Sequence, residues 1–211
     1  QLDVSRQALG VDTVDVLHLH NPEVQLTNLG PEAFETALRL AFEACEGFVA
    51  EGRIRAYGMA TWNAFRVQSD DAEHLELEGL LALAEAVGGR NHHFRWLQLP
   101  LNLALPEAFV VPTQRLGGER MTLLQAAQAT GMSVQTSAPL MQARILHQLP
   151  KGLMEAFGAS TPAQACLQFP RSCPGVTMAL CGMGQRAHVM ENAALLQRPK
   201  VDPGALASLF G

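Results

Sequence analysis

Five short apolar runs, each ended by a polar residue or a proline, alternate along this chain with longer stretches of helical periodicity. This alternation constrains the fold more than any other feature. Strands separated by helices return by right-handed crossovers, so they lie parallel in one sheet. The first run is Val14 to His20, stopped by Asn21-Pro22. The others are Ile54 to Thr61, Phe94 to Leu99, Met132 to Ala138 and Val176 to Cys181. A loop runs from His20 to Gly30, and Pro31 suits the first turn of a long helix. Phe34, Ala37, Leu38, Ala41, Phe42, Cys45, Phe48 and Val49 recur at three and four residues and mark its apolar side. Further helices are read over Leu77 to Val87, around Leu123 to Ala127, and after Thr161, where Thr161-Pro162-Ala163-Gln164 has capping-box spacing. A final helix contains Glu191-Asn192, and a Leu206–Phe210 tail is expected to dock on the outside.

In a parallel sheet every strand tip meets on one face. Here those tips carry His20, Thr61 to Asn63, Gln98, Ser137 and Gly182 to Gln185. The pattern suits a (β/α) barrel or an open doubly wound sheet, in one domain over residues 1–211. No G-x-G-x-x-G follows an early strand, which weakens the dinucleotide-binding doubly wound reading. Five units are fewer than the eight of a closed barrel. Gln1 to Leu9 already reads as a helix end closed at Gly10, so the chain is expected to begin inside a fold.

Composition narrows the partners. A net charge of −5 and the lack of any Lys/Arg-rich run argue against nucleic acid. No apolar run reaches the ~20 residues of a membrane span. Cys45, Cys166, Cys173 and Cys181 have neither C-x-x-C nor zinc spacing, so they read as buried thiols in an intracellular reducing compartment. Charged residues make up only 17 %, which suggests burial on many sides or surface covered by a partner. His92-His93 could suggest metal, but adjacent strand residues face opposite ways, and a loop or interface pair is the reading kept. Asp70, Asp71, Glu73, Glu76 and Glu78 read as a solvated acidic opening turn of the next helix.

Taken together, the motifs resemble the carboxy-terminal two-thirds of an aldo-keto reductase. The residues that carry the resemblance are Val14 to Pro22 (VDVLHLHNP), Glu51 to Gly58 (EGRIRAYG), Gln98-Leu99-Pro100-Leu101-Asn102-Leu103 and Ser137-Ala138-Pro139-Leu140. Thr161 to Ala165, Pro174-Gly175-Val176 and Glu191-Asn192 complete the set, in the family's order. The resemblance implies a TIM-type (β/α)8 barrel, here incomplete, with about five parallel strands corresponding to strands four to eight. It implies NADP(H) as cofactor, a small carbonyl substrate, and His20 as the catalytic histidine that positions the carbonyl. Asn21 and Trp62 are the implied substrate-pocket residues. Thr61, Gln98, Ser137, Leu140, Arg186, Glu191 and Asn192 are the implied cofactor contacts.

The chain departs from the family at several of these positions. Ala60-Thr61 stand where many members have Ser-Asn, Ser137 stands at an aromatic position, and Gly184-Gln185 replace a Lys/Arg-Ser pair, leaving Arg186 as the nearby cation. The family's tyrosine, lysine and aspartate come from the first three strands. Tyr57 lies inside a strand, and Lys151 and Lys200 lie past the strand tips, so none of them substitutes. His18 faces the opposite side or sits one layer deeper, and is read as a packed core histidine. Two expectations follow: an NADPH-dependent reductase completed by an upstream segment, or a catalytically inactive subunit whose open barrel edges are covered by protein partners.

Overall fold

The computed structural model describes residues 1–210. Helix α1 (Leu2–Leu9) leads into β1 (Val14–His20), followed by α2 (Glu23–Leu29), α3 (Pro31–Ala50) and β2 (Ile54–Ala60). Helix α4 (Leu77–Gly88) precedes β3 (Phe94–Pro100). A short α5 (Glu107–Val110) and a hairpin of β4 (Gln114–Leu116) and β5 (Glu119–Met121) then lead to α6 (Leu123–Thr130) and β6 (Ser133–Ser137). A 3-10 stretch (Met141–His147) and α7 (Leu153–Ala156) connect to α8 (Pro162–Ser172) and β7 (Val176–Ala179). Helices α9 (Arg186–Ala193) and α10 (Pro203–Ala207) close the chain. The main sheet has the order β1-β2-β3-β6-β7, with every pairing parallel. The five expected strands are therefore the five strands of the main sheet.

The two faces of this sheet differ. Tyr57, Met59, Leu97, Leu99, Val134 and Thr136 are fully buried beneath the helices. Their strand neighbours on the other face are His18, His20, Gln98 and Gln135, together with Met178, which is 46 % exposed. Alternation at period two produces this division. His18 and His20, two residues apart, share the polar face, so His18 sits one layer deeper rather than opposite. Its Nδ1 is buried without a partner, and burial, the leading influence, lowers its pKa against opposing contributions from the Met59 backbone and the Gln135 side chain.

Phe42 from α3 holds the helix-side core, with its ring centroid 5.1 Å from both Tyr57 and Phe94. The register slips between Tyr57 and Gly58, where Arg95 is the extra residue. There the backbone of Trp96 comes so close that a Cβ on residue 58 would lie 2.1 Å from its carbonyl oxygen. Only glycine fits.

Two local expectations change. Only the end of the acidic segment belongs to the helix: residues 69–73 form turns and bends, Glu76 is the N-cap of α4, and Glu78 alone lies in its first turn. Three of its carboxylates bind groups outside the run. Glu73 accepts from Asn63 Nδ2 at 2.6 Å, Glu76 from the Arg115 N–H at 2.6 Å and Glu78 from the Gly117 N–H at 3.0 Å. The first loop also contains α2, which the Pro22-Glu23 start signals. The tail does dock, through buried Leu206 and through Phe210 against Phe169.

His92 and His93 are tied to neighbours. Glu46 accepts from the His93 N–H at 2.7 Å and from the Tyr57 hydroxyl at 3.1 Å, and its second oxygen lies 2.7 Å from His93 Nδ1. An Arg95 guanidinium nitrogen lies 3.1 Å from His92 Nδ1. Burial pushes the Glu46 carboxyl up, but its hydrogen bonds outweigh this and hold it below the usual value. A depressed carboxyl stabilises the fold above its unfolded pKa, and that contribution is lost as pH falls through the folded value. Melting temperatures of Glu46→Gln should therefore fall less steeply than those of the parent below about pH 4.5. Gly58→Ala should lower stability in urea by about 2 kcal/mol or more, since the clash is with backbone.

Candidate active site

The strand tips converge through backbone bonds. Asn21 N–H donates to Ala60 at 2.6 Å, Thr61 N–H to Gln98 at 2.8 Å and Leu101 N–H to Ser137 at 3.3 Å. The register sets His20 beside Ala60, Ala60 beside Gln98, and Gln98 beside Gln135. His20 is exposed at this end. Gln98 donates from Nε2 to Gln135 Oε1 at 2.6 Å, so its amide is oriented along the polar face. Thr61 is buried, and its hydroxyl lies 3.3 Å from the Gln98 carbonyl, turned toward the sheet.

Trp62, 49 % exposed, stands on the rim in a loop held by a carboxylate that sequence reasoning missed. Glu23, 1 % exposed at the start of α2, accepts from the Trp62 N–H at 2.6 Å and the Asn63 N–H at 3.2 Å. Its other oxygen is buried without a partner. Arg66 completes the clamp by donating to the Trp62 carbonyl at 2.8 Å, Asn63 Oδ1 at 3.1 Å and Glu107 at 2.9 Å. The Asn-Pro-Glu sequence was the available signal for a helix start, but nothing local shows that its carboxylate reaches back to residues 62 and 63.

A cavity of about 950 Å³ opens between the loop after β6 and helices α8 and α9. Ser137, Leu140, Glu191 and Asn192 all line it, together with Thr161, His147 and His188. Its size and mostly apolar lining suit a small-molecule or cofactor site. Thr161 links the two helices. Its hydroxyl donates to the Glu191 carboxylate and accepts from the Gln164 N–H. The Gln164 side chain reaches the Ser160 N–H at 2.9 Å and the Glu191 carbonyl at 2.7 Å, so the expected capping box closes one residue early. Asn192 donates to Cys181 Sγ at 3.5 Å.

Arg186 does not line this cavity. It opens α9, where His188, Glu191 and Asn192 share one face, and at 100° per residue Arg186 lies on the opposite one. Tyr57 is fully buried, and burial with the Glu46 carboxylate pushes its hydroxyl pKa far up. Among the described residues, no cluster of three His, Cys, Asp or Glu is arranged to hold a metal ion. No helix among the described residues is long and apolar enough to cross a membrane.

The family model for the aldo/keto reductase family matches residues 1–78. A comparison with curated proteins found no match. Among solved structures, an aldo/keto reductase from Klebsiella pneumoniae in complex with NADP and acetate superposes with a TM-score of 0.66 at 25 % identity, over 99 % of this chain and 62 % of that one. The holo form of an aldo-keto reductase from Bacillus halodurans gives 0.61 at 15 %, over 99 % and 65 %. An aldo/keto reductase from Brucella melitensis gives 0.58 at 16 %, over 98 % and 65 %. This chain thus spans about three fifths of the length of the first solved structures it matches. The fold defines an α/β protein of the (β/α)8-barrel class, represented here by five parallel strands. Within that class the chain is aldo-keto reductase-like, as its motifs indicate. The comparisons give no support to an inactive subunit or to a covering protein partner.

Replacing Glu23 with alanine leaves two N–H groups of the rim without their acceptor. Amide exchange at residues 62 and 63 should rise at least tenfold, and acrylamide should quench Trp62 more readily, with Trp96 removed to isolate the signal.

Proposed function

We propose that the intact protein reduces small aldehydes or ketones with a nicotinamide dinucleotide, NADP(H) being the cofactor that the aldo-keto reductase likeness implies. One observation carries the reading. Four residues assigned to the cofactor by that likeness, Ser137, Leu140, Glu191 and Asn192, line one cavity at the sheet end where His20 and Gln98 stand. A neighbour with this fold holds NADP.

A bound nicotinamide would supply the hydride. The residues of this chain bind and orient. The exposed His20 imidazole donates an N–H to the carbonyl oxygen and polarises it. Asn21 and Trp62 form the wall beside it, the latter held by Glu23 and Arg66. Gln98 presents its amide carbonyl to the nicotinamide end, while Glu191 and Asn192 receive the adenine end. Thr61 contributes little to the nicotinamide end, since its hydroxyl turns toward the Gln98 carbonyl.

The proton donor is not Tyr57, whose hydroxyl is buried against Glu46. The proposal therefore requires a tyrosine, a lysine and an aspartate from a segment preceding Gln1 in the intact protein. A reducing intracellular compartment suits the four free cysteines, three of them buried with thiol pKa values pushed up to about 11, 11 and 12 by burial, helped at Cys45 by the Glu46 carboxylate.

The intact protein should oxidise reduced nicotinamide cofactor when offered short-chain aldehydes or ketones. His20→Ala should lower kcat/KM by about 10²–10³ and leave the cofactor Kd unchanged. Cofactor oxidation with no member of a broad carbonyl panel would overturn the reading.

A further inference from the structure

We infer that the α8–α9 cavity is built for a dinucleotide whose adenosine ribose carries a free 2′-hydroxyl, so that the protein prefers NAD(H) to NADP(H). The inference rests on the dinucleotide reading given above and concerns the chemistry of the same cavity. None of the residues lining it is a lysine or an arginine. Its only side chains able to carry positive charge are His147 and His188, and it contains one carboxylate, Glu191.

A 2′-phosphate brings close to two negative charges into this setting. Desolvating them without a fixed cation is unfavourable, and the Glu191 carboxylate adds like-charge repulsion. Arg186 opens α9 on the face turned away from the cavity, and Arg144, next to the lining residue Ala143, is exposed and is not itself part of the lining. Arg198 is committed to the Gly158 carbonyl and to Ser160 Oγ, the latter at 2.7 Å. A hydroxyl meets the opposite situation, because a carboxylate accepts the hydrogen bond that a ribose 2′-OH donates. Glu191 is held for this. Its carboxylate takes the Thr161 hydroxyl and its backbone carbonyl takes Gln164 Nε2 at 2.7 Å, which fixes the residue in the cavity lining against α8.

The test is direct binding. NADH and NADPH are titrated into the intact protein by nicotinamide fluorescence, and 5′-AMP and 2′,5′-ADP by calorimetry. NADH should bind at least tenfold more tightly than NADPH, with 5′-AMP ahead of 2′,5′-ADP in the same sense. Glu191→Gln should shrink that ratio. His188→Arg, at an exposed position of α9 that lines the cavity, should narrow the NADH/NADPH ratio by supplying a fixed cation for the 2′-phosphate. NADPH binding as tightly as NADH would overturn this inference alone. Binding of neither nucleotide would overturn it together with the dinucleotide reading.

Discussion

Parallel pairing in register is the constraint on which the rest of this structure depends. His20, Ala60, Gln98 and Gln135 are successive partners across four strands, so their side chains leave the sheet on the same face. The opposite face is committed to the helices and filled by Phe42, Tyr57, Met59, Leu97 and Leu99, all fully buried. A slip of one residue in any strand would exchange the two sets, placing a histidine or glutamine in the core and a leucine at the tip. Gly58 guards against it. With the Trp96 backbone packed where a Cβ would stand, residue 58 accepts no side chain, so a slip that brought Tyr57 or Met59 there would clash.

Above this frame, the rim is ordered by charge rather than by apolar packing. Glu23 and Arg66 take opposite polarities of the same short loop, the carboxylate receiving the Trp62 and Asn63 N–H groups and the guanidinium binding the Trp62 carbonyl. Both are nearly buried, and each is stabilised because the other fixes the loop it binds. A large aromatic is thereby held half-exposed at the rim.

The sequence reading located the frame because periodicity reports burial one element at a time. The five strands and the helices of the main crossovers each carry their own pattern, and Thr161 and Pro162 mark a helix start by local chemistry alone. What it missed has the opposite character. The acidic run from Asp70 to Glu78 looks like a helix face, and only the β4–β5 hairpin, some forty residues on, explains why Glu76 and Glu78 point to backbone N–H groups there. Gln114 is a similar case, capping α4 through the Leu77 N–H at 2.8 Å from a hairpin whose Gly117-Gly118 turn was legible but unread. The residues proposed for the site follow the same division. His20, Ser137 and Asn192 could be named from motifs, whereas Glu23 acts across 39 and 40 residues of chain and leaves no local signature. The placement of Arg186 also needed three dimensions, since adjacency in sequence to Gln185 says nothing about which face of α9 it occupies.

Backbone conformation separates the two ends of the sheet without reference to any family. Each turn that leads from a helix into a main-sheet strand passes through a glycine with positive φ, at Gly10, Gly52, Gly89, Gly131 and Gly175. That end of the molecule is built at no steric cost. Asn21, Ala138, Met141, Gln142 and Ala143 are the non-glycine residues with positive φ among those described, and all lie in loops leaving the opposite end, after β1 and β6. Asparagine tolerates this region, but each of the alanine, methionine and glutamine positions costs on the order of 1 kcal/mol or more. Strain of that kind persists where surrounding structure fixes it, and four of the five line the α8–α9 cavity. In barrels of this class the active site lies at the carboxyl ends of the strands, while the opposite face serves stability. The strained end here is the one that carries His20, and it is the backbone, independently of the motifs, that marks it.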